Sequence, residues 1–300
     1  MRAILFVHPK KSCAQKLKNE ISAELAAMDI CTDLFTFNEK SVSPEAGYDI
    51  AISLGGDGTV LSAARVMSPL GIPVFPVNLG TFGFIAGVQP LQWREAFDAW
   101  LRGKASFSRR MMLEIKVKRG TSETFSGCCL NDVTVSSSVI ARIINLSVFS
   151  GKNGPDPPLK LISYRSDGLI ISTPTGSTAY SAAAGGPIVD PELEAFILNP
   201  ICPFTLTHRP MILPADEIVT VEVDKNQRNG VLLTLDGQVT HKLKSGDRIS
   251  IEKAAFSCLL AASGRSSFYQ ALRTKLSWAG EGESKPVNSV IQAGGRGRNA

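Results

Sequence analysis

The run Ser53-Leu54-Gly55-Gly56-Asp57-Gly58-Thr59 sets three glycines around one acid, directly after an apolar stretch and directly before a helical pattern. Glycines leave backbone N–H groups open to a bound anion and tolerate positive φ at little cost, and the helix that follows adds the positive end of its dipole. This is the chemistry of a phosphate cradle, though not of a Walker loop, whose lysine is missing here. A carboxylate repels phosphate, so Asp57 in such a cradle suits other chemistry, either accepting a hydroxyl proton or holding Mg2+. The same stretch also reads as an ordinary strand-to-helix turn with Asp57 as its N-cap.

A second cluster lies further along. Arg165-Ser166-Asp167-Gly168 leads through Leu169-Ile170-Ile171 into Ser172-Thr173-Pro174-Thr175-Gly176-Ser177-Thr178-Ala179-Tyr180, then Ala184-Gly185-Gly186-Pro187. Five hydroxyl side chains within seven residues, pinned by one proline and one glycine, offer short donors and acceptors to a sugar and a base edge. Such clusters also occur as plain loops and helix caps. The strand before it and the Gly-Gly-Pro after it favour a rigid strand-turn-helix, which suits a ligand site.

Other chemistries find little support. The six cysteines include no CxxC pair and the three histidines lie far apart, so a zinc site is not expected and the thiols read as reduced and buried. Net charge is +5, with residues 101–165 carrying eleven Lys/Arg against four Asp/Glu. That asymmetry fits a polyanionic ligand or a solvated sheet face, and with no basic run longer than three, nucleic acid is not an expected partner. Apolar residues are 44% and charged residues 20%, a globular balance that excludes wholesale disorder. No apolar run reaches the ~18 residues of a spanning helix, and Met1-Arg2 followed by five apolar residues is too short for a signal peptide. A soluble, cytoplasmic protein without a membrane partner is the expectation.

These residues need a scaffold. Ala3–Val7 reads as a strand, followed by a helix with Ala14, Leu17, Ile21, Leu25 and Met28 on one face. Ile30–Phe37, Tyr48–Leu54 and Ile72–Val77 read as strands, and Thr59–Ser68 as a helix stopped by Pro69. Pro90 opens a helix whose Trp93, Phe97, Trp100 and Leu101 share a face, with Gly103 as its stop. Alternating strand and helix predicts a doubly wound α/β N-terminal domain with a mostly parallel sheet, over 1–104. After Gly103 the period becomes two, as in Leu113, Ile115, Val117 and Ile144, Leu146, Val148, with Ile218–Val223, Val231–Leu235 and Ile249–Ile251 continuing it. This predicts an all-β, sandwich-like C-terminal domain over 105–264, with one or two short helices near 178–196. Phe268, Leu272 and Leu276 suggest a last helix within 265–278 that returns to the first domain, and 281–300 reads as a disordered tail.

The sequence as a whole resembles the NAD kinases. Gly55-Gly56-Asp57-Gly58-Thr59, Asn78-Leu79-Gly80-Thr81-Phe82-Gly83-Phe84, Leu130-Asn131-Asp132, Ser166-Asp167-Gly168 and Thr173-Pro174-Thr175-Gly176-Ser177-Thr178-Ala179-Tyr180 occur in that family's order and approximate spacing, from about residue 3 to Trp278. The first motif is shared with diacylglycerol kinases, sphingosine kinases and phosphofructokinases; the last is far more specific. The resemblance implies transfer of the γ-phosphate of ATP to the 2′-hydroxyl of the adenosine ribose of NAD, with Mg2+ or another divalent cation. It implies that Asp57 is the general base, that Gly55, Gly56, Gly58 and Thr59 carry phosphates, and that Asn131 and Asp132 hold the nicotinamide-side ribose. Thr175, Thr178, Ala179 and Tyr180 would line the NAD pocket, with Phe84 near the adenine. A homodimer or homotetramer is implied, with Asp167 acting on a neighbour's ligand.

The departures matter too. Ala183 stands where the family usually has serine, Asp132 replaces a commoner glutamate, and Phe82 a frequent leucine. Asn153–Pro158 looks like an extra rigid loop or an ordinary turn, and Cys202 falls in a segment the family places beside the NAD pocket. The competing readings are a lipid kinase, which should show an interfacial apolar or polybasic helix, and a dinucleotide-binding regulator without catalysis. An NADP-dependent oxidoreductase would want a GxGxxG turn that the first strands lack.

Overall fold

The computed structural model describes residues 1–7, 12–35, 47–80, 83–105, 107–152, 154–155, 157–205, 207–261 and 264–276. The first half runs β1 (Arg2–Val7), α1 (Ser12–Ala27), β2 (Cys31–Phe35), β3 (Ile50–Gly55), α2 (Asp57–Met67), β4 (Val74–Asn78), α3 (Trp93–Leu101). Strands then dominate: β5 (Phe107–Arg119), β6 (Ser122–Cys129), β7 (Asp132–Ser137), β8 (Ile144–Gly151), β9 (Leu159–Ser166), β10 (Gly168–Ser172). After the one-turn helix α4 (Tyr180–Ala183) come β11 (Ala195–Ile201), β12 (Met211–Pro214), β13 (Ile218–Val223), β14 (Val231–Leu235), β15 (Val239–Leu243), β16 (Arg248–Ala261) and α5 (Arg265–Lys275).

β2, β1, β3 and β4 form a parallel sheet in that order. β1 is buried on both faces: Ala3, Leu5 and Val7 meet α1 and α3 through Leu17, Ile21 and Phe97, whereas Ile4 and Phe6 meet α2 through Val60, Ala64 and Met67. The β-rich half is a sandwich. Its six-stranded sheet, ordered β12-β11-β10-β7-β14-β15, turns Val133, Val135, Leu169, Ile171 and Leu233 inward against Leu113, Ile115, Leu146, Val148 and Ile249 of the other layer. The period-two reading of those residues holds because each strand buries one face in this core.

The two halves share one sheet. Early in β16, Ile249 and Ile251 pair with β13, and at its end Leu260 pairs in parallel with Val74 of β4. The chain thus re-enters the parallel sheet before α5 begins.

Several expectations are corrected. α2 starts at Asp57 with Gly56 as its cap, so Asp57 is not the N-cap. That helix ends at Met67, and Pro69 sits inside the following 3-10 turn, Ser68–Leu70, because its missing N–H is tolerated there. Leu101 and Leu276 are 41% and 51% exposed, at the rim of their helices' buried faces. The short helix expected near 178–196 is the single turn Tyr180–Ala183, and Ala195 at the end of that window begins a strand. All six cysteines are free, but Cys13, Cys31 and Cys202 are exposed, so only some are buried. Residues 36–37 of the second predicted strand, Phe82, Asn153 and Asp156 of the proline-rich loop, Trp278 and the 281–300 tail lie outside the described residues.

Candidate active site

β3 is buried along its whole length and delivers the glycine run at the carboxyl edge of the parallel sheet. A Cβ on Gly55 would lie 2.0 Å from Thr59 Oγ1, so a side chain at 55 is incompatible with this turn. Thr59 is itself buried beneath it.

The Asp57 carboxylate is held by backbone. Phe84 N–H donates to Oδ2 at 3.0 Å, and Ala86 and Ile85 N–H donate to Oδ1 at 3.1 and 3.4 Å. The approach requires glycine at 83, where a Cβ would stand 2.0 Å from Oδ1. Leu79 N–H donates to Gly55 O at 2.7 Å and Asn78 Oδ1 accepts from Gly80 N–H, which docks the incoming segment. The cradle of N–H groups is therefore built, but the described segment 84–86 supplies it and Asp57 is the anion it holds. A carboxylate oxygen has two lone-pair directions, and among the described residues Oδ2 has one donor, which leaves the other direction for a hydroxyl proton. Phe84 stands beside it, with its ring 6.3 Å from that of Phe268 and under Lys275 Nζ at 4.8 Å.

The second component is a cleft of about 400 Å³ on the outer face of the six-stranded sheet. While Val133 and Val135 enter the core, their alternates Asp132, Thr134 and Ser136 line the cleft, joined by Thr234 from β14. Leu61 of α2 closes one side and Ala179 and Tyr180 another. Asn131 borders it with a side-chain Oδ1 that is buried and has no partner among the described residues. A buried acceptor left empty costs free energy, and a hydroxyl from a ligand would satisfy it.

Asp132 is only 5% exposed. Burial lifts its carboxyl from 3.8 to about 7, with the charge of Asp236 adding to the rise and the Thr134 hydroxyl opposing it. Asp236 is raised by burial as well, against the pull of its amide donors and Arg65. Its carboxylate accepts from Leu130, Asn131 and Asp132 N–H at 3.1, 2.8 and 3.3 Å and from Arg65 at 3.2 Å. Asp236 and Gly237 both have positive φ, 50° and 65°, as the turn between β14 and β15 demands. The sequence marks Gly237 as a turn, whereas the acid beside it escapes a reading by motif; the Asp-Gly pair between two alternating strands is the signal that could have found it.

The hydroxyl-rich turn works differently from the expectation. Thr173 Oγ1 donates to Leu130 O at 2.6 Å and accepts from Gly176 N–H, Ser172 Oγ donates to Asn131 O, and Ser177 Oγ donates to Val189 O while accepting its N–H. Thr178 Oγ1 donates to Thr175 O, and Thr175 is buried. A Cβ on Gly176 would lie 2.2 Å from Asn131 O. The hydroxyls clamp this turn onto the Asn131 segment, and the side chains left facing the cleft are Ala179 and Tyr180. Ala183 is exposed, its N–H on Ala179 O.

Asp167 and Cys202 sit together at the opposite end of β10, where Asp167 N–H donates to Ile201 O. The five residues Gly168–Ser172 separate them from the turn, about 16 Å at strand rise. One subunit does not bring them to Asn131 and Asp132. Among the described residues, no group of three or more His, Cys, Asp or Glu side chains converges as a metal site.

The acid is fixed at the carboxyl edge of the parallel sheet, where open α/β sheets bind their ligands, and beside it lies the polar cleft of the β-sandwich. The family model for the ATP-NAD kinase N-terminal domain matches residues 1–105, and that for the ATP-NAD kinase C-terminal domain matches 130–262. The NAD kinase of Treponema denticola is 41% identical over 95% of this chain and 99% of its own length. That of Geobacter sulfurreducens is 43% identical over 77% of this chain and 78% of its own. The chain belongs to the NAD kinase family. Among solved structures, an NAD kinase from Archaeoglobus fulgidus in complex with ATP aligns at a TM-score of 0.67 and 25% identity, covering 90% of this chain and 96% of that one. Yeast NADH kinase complexed with NADH aligns at 0.83 over 95% and 89%, at 22% identity, a likeness of fold.

Proposed function

We propose that this protein transfers the γ-phosphate of ATP to the 2′-hydroxyl of the adenosine ribose of NAD, giving NADP and ADP. The observation that carries the reading is the Asp57 carboxylate, oriented by three backbone N–H groups, with a single donor on Oδ2 among the described residues. The 2′-hydroxyl gives its proton to that oxygen as its own oxygen bonds to the γ-phosphorus, and the bond to the β-phosphate oxygen breaks with its electron pair leaving on ADP. Such transfer asks mainly for in-line positioning and charge neutralisation. Asn131 Oδ1, Asp132 and the Ala179–Tyr180 wall receive the acceptor's second ribose and neighbouring groups. Phe84 flanks the adenine, and Thr175 and Thr178 support the pocket from behind.

The donor approaches the glycine run, Gly55, Gly56 and Gly58, from the carboxyl edge of β3 and β4, where a second cleft of about 480 Å³ includes Lys16, Asn78, Gly80 and Gln89. Mg2+ usually keeps several waters and binds through one or two carboxylates plus substrate phosphates, so a site with Asp57 at the glycine run and Glu20 lining the second cleft would suit a metal carried by the triphosphate. When bound it neutralises charge on the β- and γ-oxygens.

A homodimer or homotetramer is part of the proposal. Val139, Ile140 and Phe204, 52%, 96% and 66% exposed, belong to the loops at the Asp167 end of β10, which supports a reading in which Asp167 and Cys202 reach a neighbour's ligand; sedimentation of a monomer would remove it. Among the described residues no helix is long and apolar enough to cross a membrane. A cytoplasmic location is part of the proposal. Lys116, Arg119 and Lys152 of the basic segment are ion-paired with Glu252, Asp247 and Asp216, which supports a solvated face over a nucleic-acid groove.

The test is incubation with NAD, ATP and Mg2+. NADP and ADP in equal amounts are expected. No NADP from NAD, with diacylglycerol phosphorylated instead, would overturn the reading in favour of a lipid kinase.

A further inference from the structure

Residue 238 ties the two components of the site together. Gln238 Nε2 donates to Gly58 O at 2.8 Å, and Gln238 Oε1 accepts from Ser62 Oγ at 2.8 Å and from Arg65 at 2.5 Å. The other Arg65 nitrogen donates to Asp236 Oδ2, and that carboxylate holds the amides of Leu130, Asn131 and Asp132. The turn 236–238 is therefore bonded on one side to the first turns of the Asp57 helix and on the other to the floor of the acceptor cleft.

The bonding is polar in sense. The amide presents its oxygen to two donors and its nitrogen to a carbonyl, so neither a carboxylate nor a flipped amide satisfies all three partners. Gln238 is also exposed and takes no part in the core, so little of the fold rests on its packing.

We propose that Gln238, acting through Gly58 and Arg65, is a positioning residue that sets the distance between the Asp57 carboxylate and the acceptor hydroxyl. The proposal rests on the reading of this site as the NAD phosphorylation centre. Displacement of reacting groups by about 1 Å costs on the order of a hundredfold in rate. A clip that holds α2 against the cleft acts on kcat, whereas it touches neither substrate.

The experiment compares Gln238→Glu and Gln238→Met with the wild type by steady-state kinetics and by thermal unfolding. Glutamate puts an oxygen against Gly58 O and keeps the acceptor for Ser62 and Arg65; methionine keeps the length and removes all three bonds. Both variants are expected to lose roughly ten- to a hundredfold in kcat, with KM for NAD and ATP changed less than about threefold and unfolding temperatures close to wild type. Arg65→Lys, which keeps the charge opposite Asp236 and shortens the reach to Gln238, should show a smaller loss in the same parameter. Unchanged kcat in Gln238→Met while the wild type makes NADP overturns the clip alone. A loss confined to KM, or one that follows unfolding temperature, also overturns it. A wild type that makes no NADP removes the functional reading and the clip with it.

Discussion

Replacing Asp132 by asparagine should stabilise the ligand-free protein, and more so as pH rises. Burial first and Asp236 second raise the Asp132 carboxyl from 3.8 to about 7. A rise of that size is on the order of 4 kcal/mol in favour of the neutral acid. Below about pH 4 the group is protonated in both folded and unfolded chains and costs nothing. Between about 4 and 7 the unfolded chain ionises while the folded one keeps its proton, so stability falls as pH rises through that window. Above it the penalty is complete. Asp33, Asp190, Asp216 and Asp247, whose partners hold their carboxyls low, lose stability in the opposite direction as pH falls, but they are common to both proteins and cancel in the difference. Thermal unfolding of wild type and Asp132→Asn from about pH 4 to 8.5 isolates the effect. At ~2–4 °C per kcal/mol for a chain of this size, the variant should gain on the order of 10 °C at the alkaline end and little at pH 4. A difference that stays flat with pH, or an Asp132→Asn protein less stable at pH 8, would refute the argument that a buried carboxylate pair is being forced into the empty cleft.

Gly83→Ala should lower kcat at least tenfold with the fold retained, because the new methyl meets Asp57 Oδ1 at 2.0 Å and must displace the carboxylate or the 84–86 segment; steady-state assay and circular dichroism check it, and wild-type kcat would contradict it. Brief treatment of the folded protein with iodoacetamide near pH 8 should modify Cys13 and Cys31, while Cys129 and Cys258 stay intact because burial pushes their thiols up, Cys258 to about 12. Peptide mass spectrometry reads the pattern.

The sequence carried the scaffold because each element repeats its own period. Ala14, Leu17, Ile21 and Leu25 step around a helix and are all buried; Leu113, Ile115 and Val117 alternate and all enter the sandwich core. The contacts that finish the site left weaker traces. The Asp57 carboxylate is held by amides 27 to 29 residues away, and a backbone donor has no side-chain signature except the glycine that lets it approach. Asp236 reaches amides more than a hundred residues upstream, so only its Asp-Gly turn was visible. Hydroxyl density at 172–178 was legible, but its direction was not. A threonine serves backbone or ligand equally well until burial decides, and here it sends Ser172, Thr173 and Ser177 to carbonyls.

The most direct measurement is single-turnover NADP formation by Asp57→Asn, with NAD binding measured on the same preparation. A transferable proton accepted at Oδ2 predicts a loss of ~10² to 10⁴ in the chemical step, with NAD affinity within a few-fold of wild type. A loss under tenfold in a folded, NAD-binding variant would contradict the role given to that carboxylate.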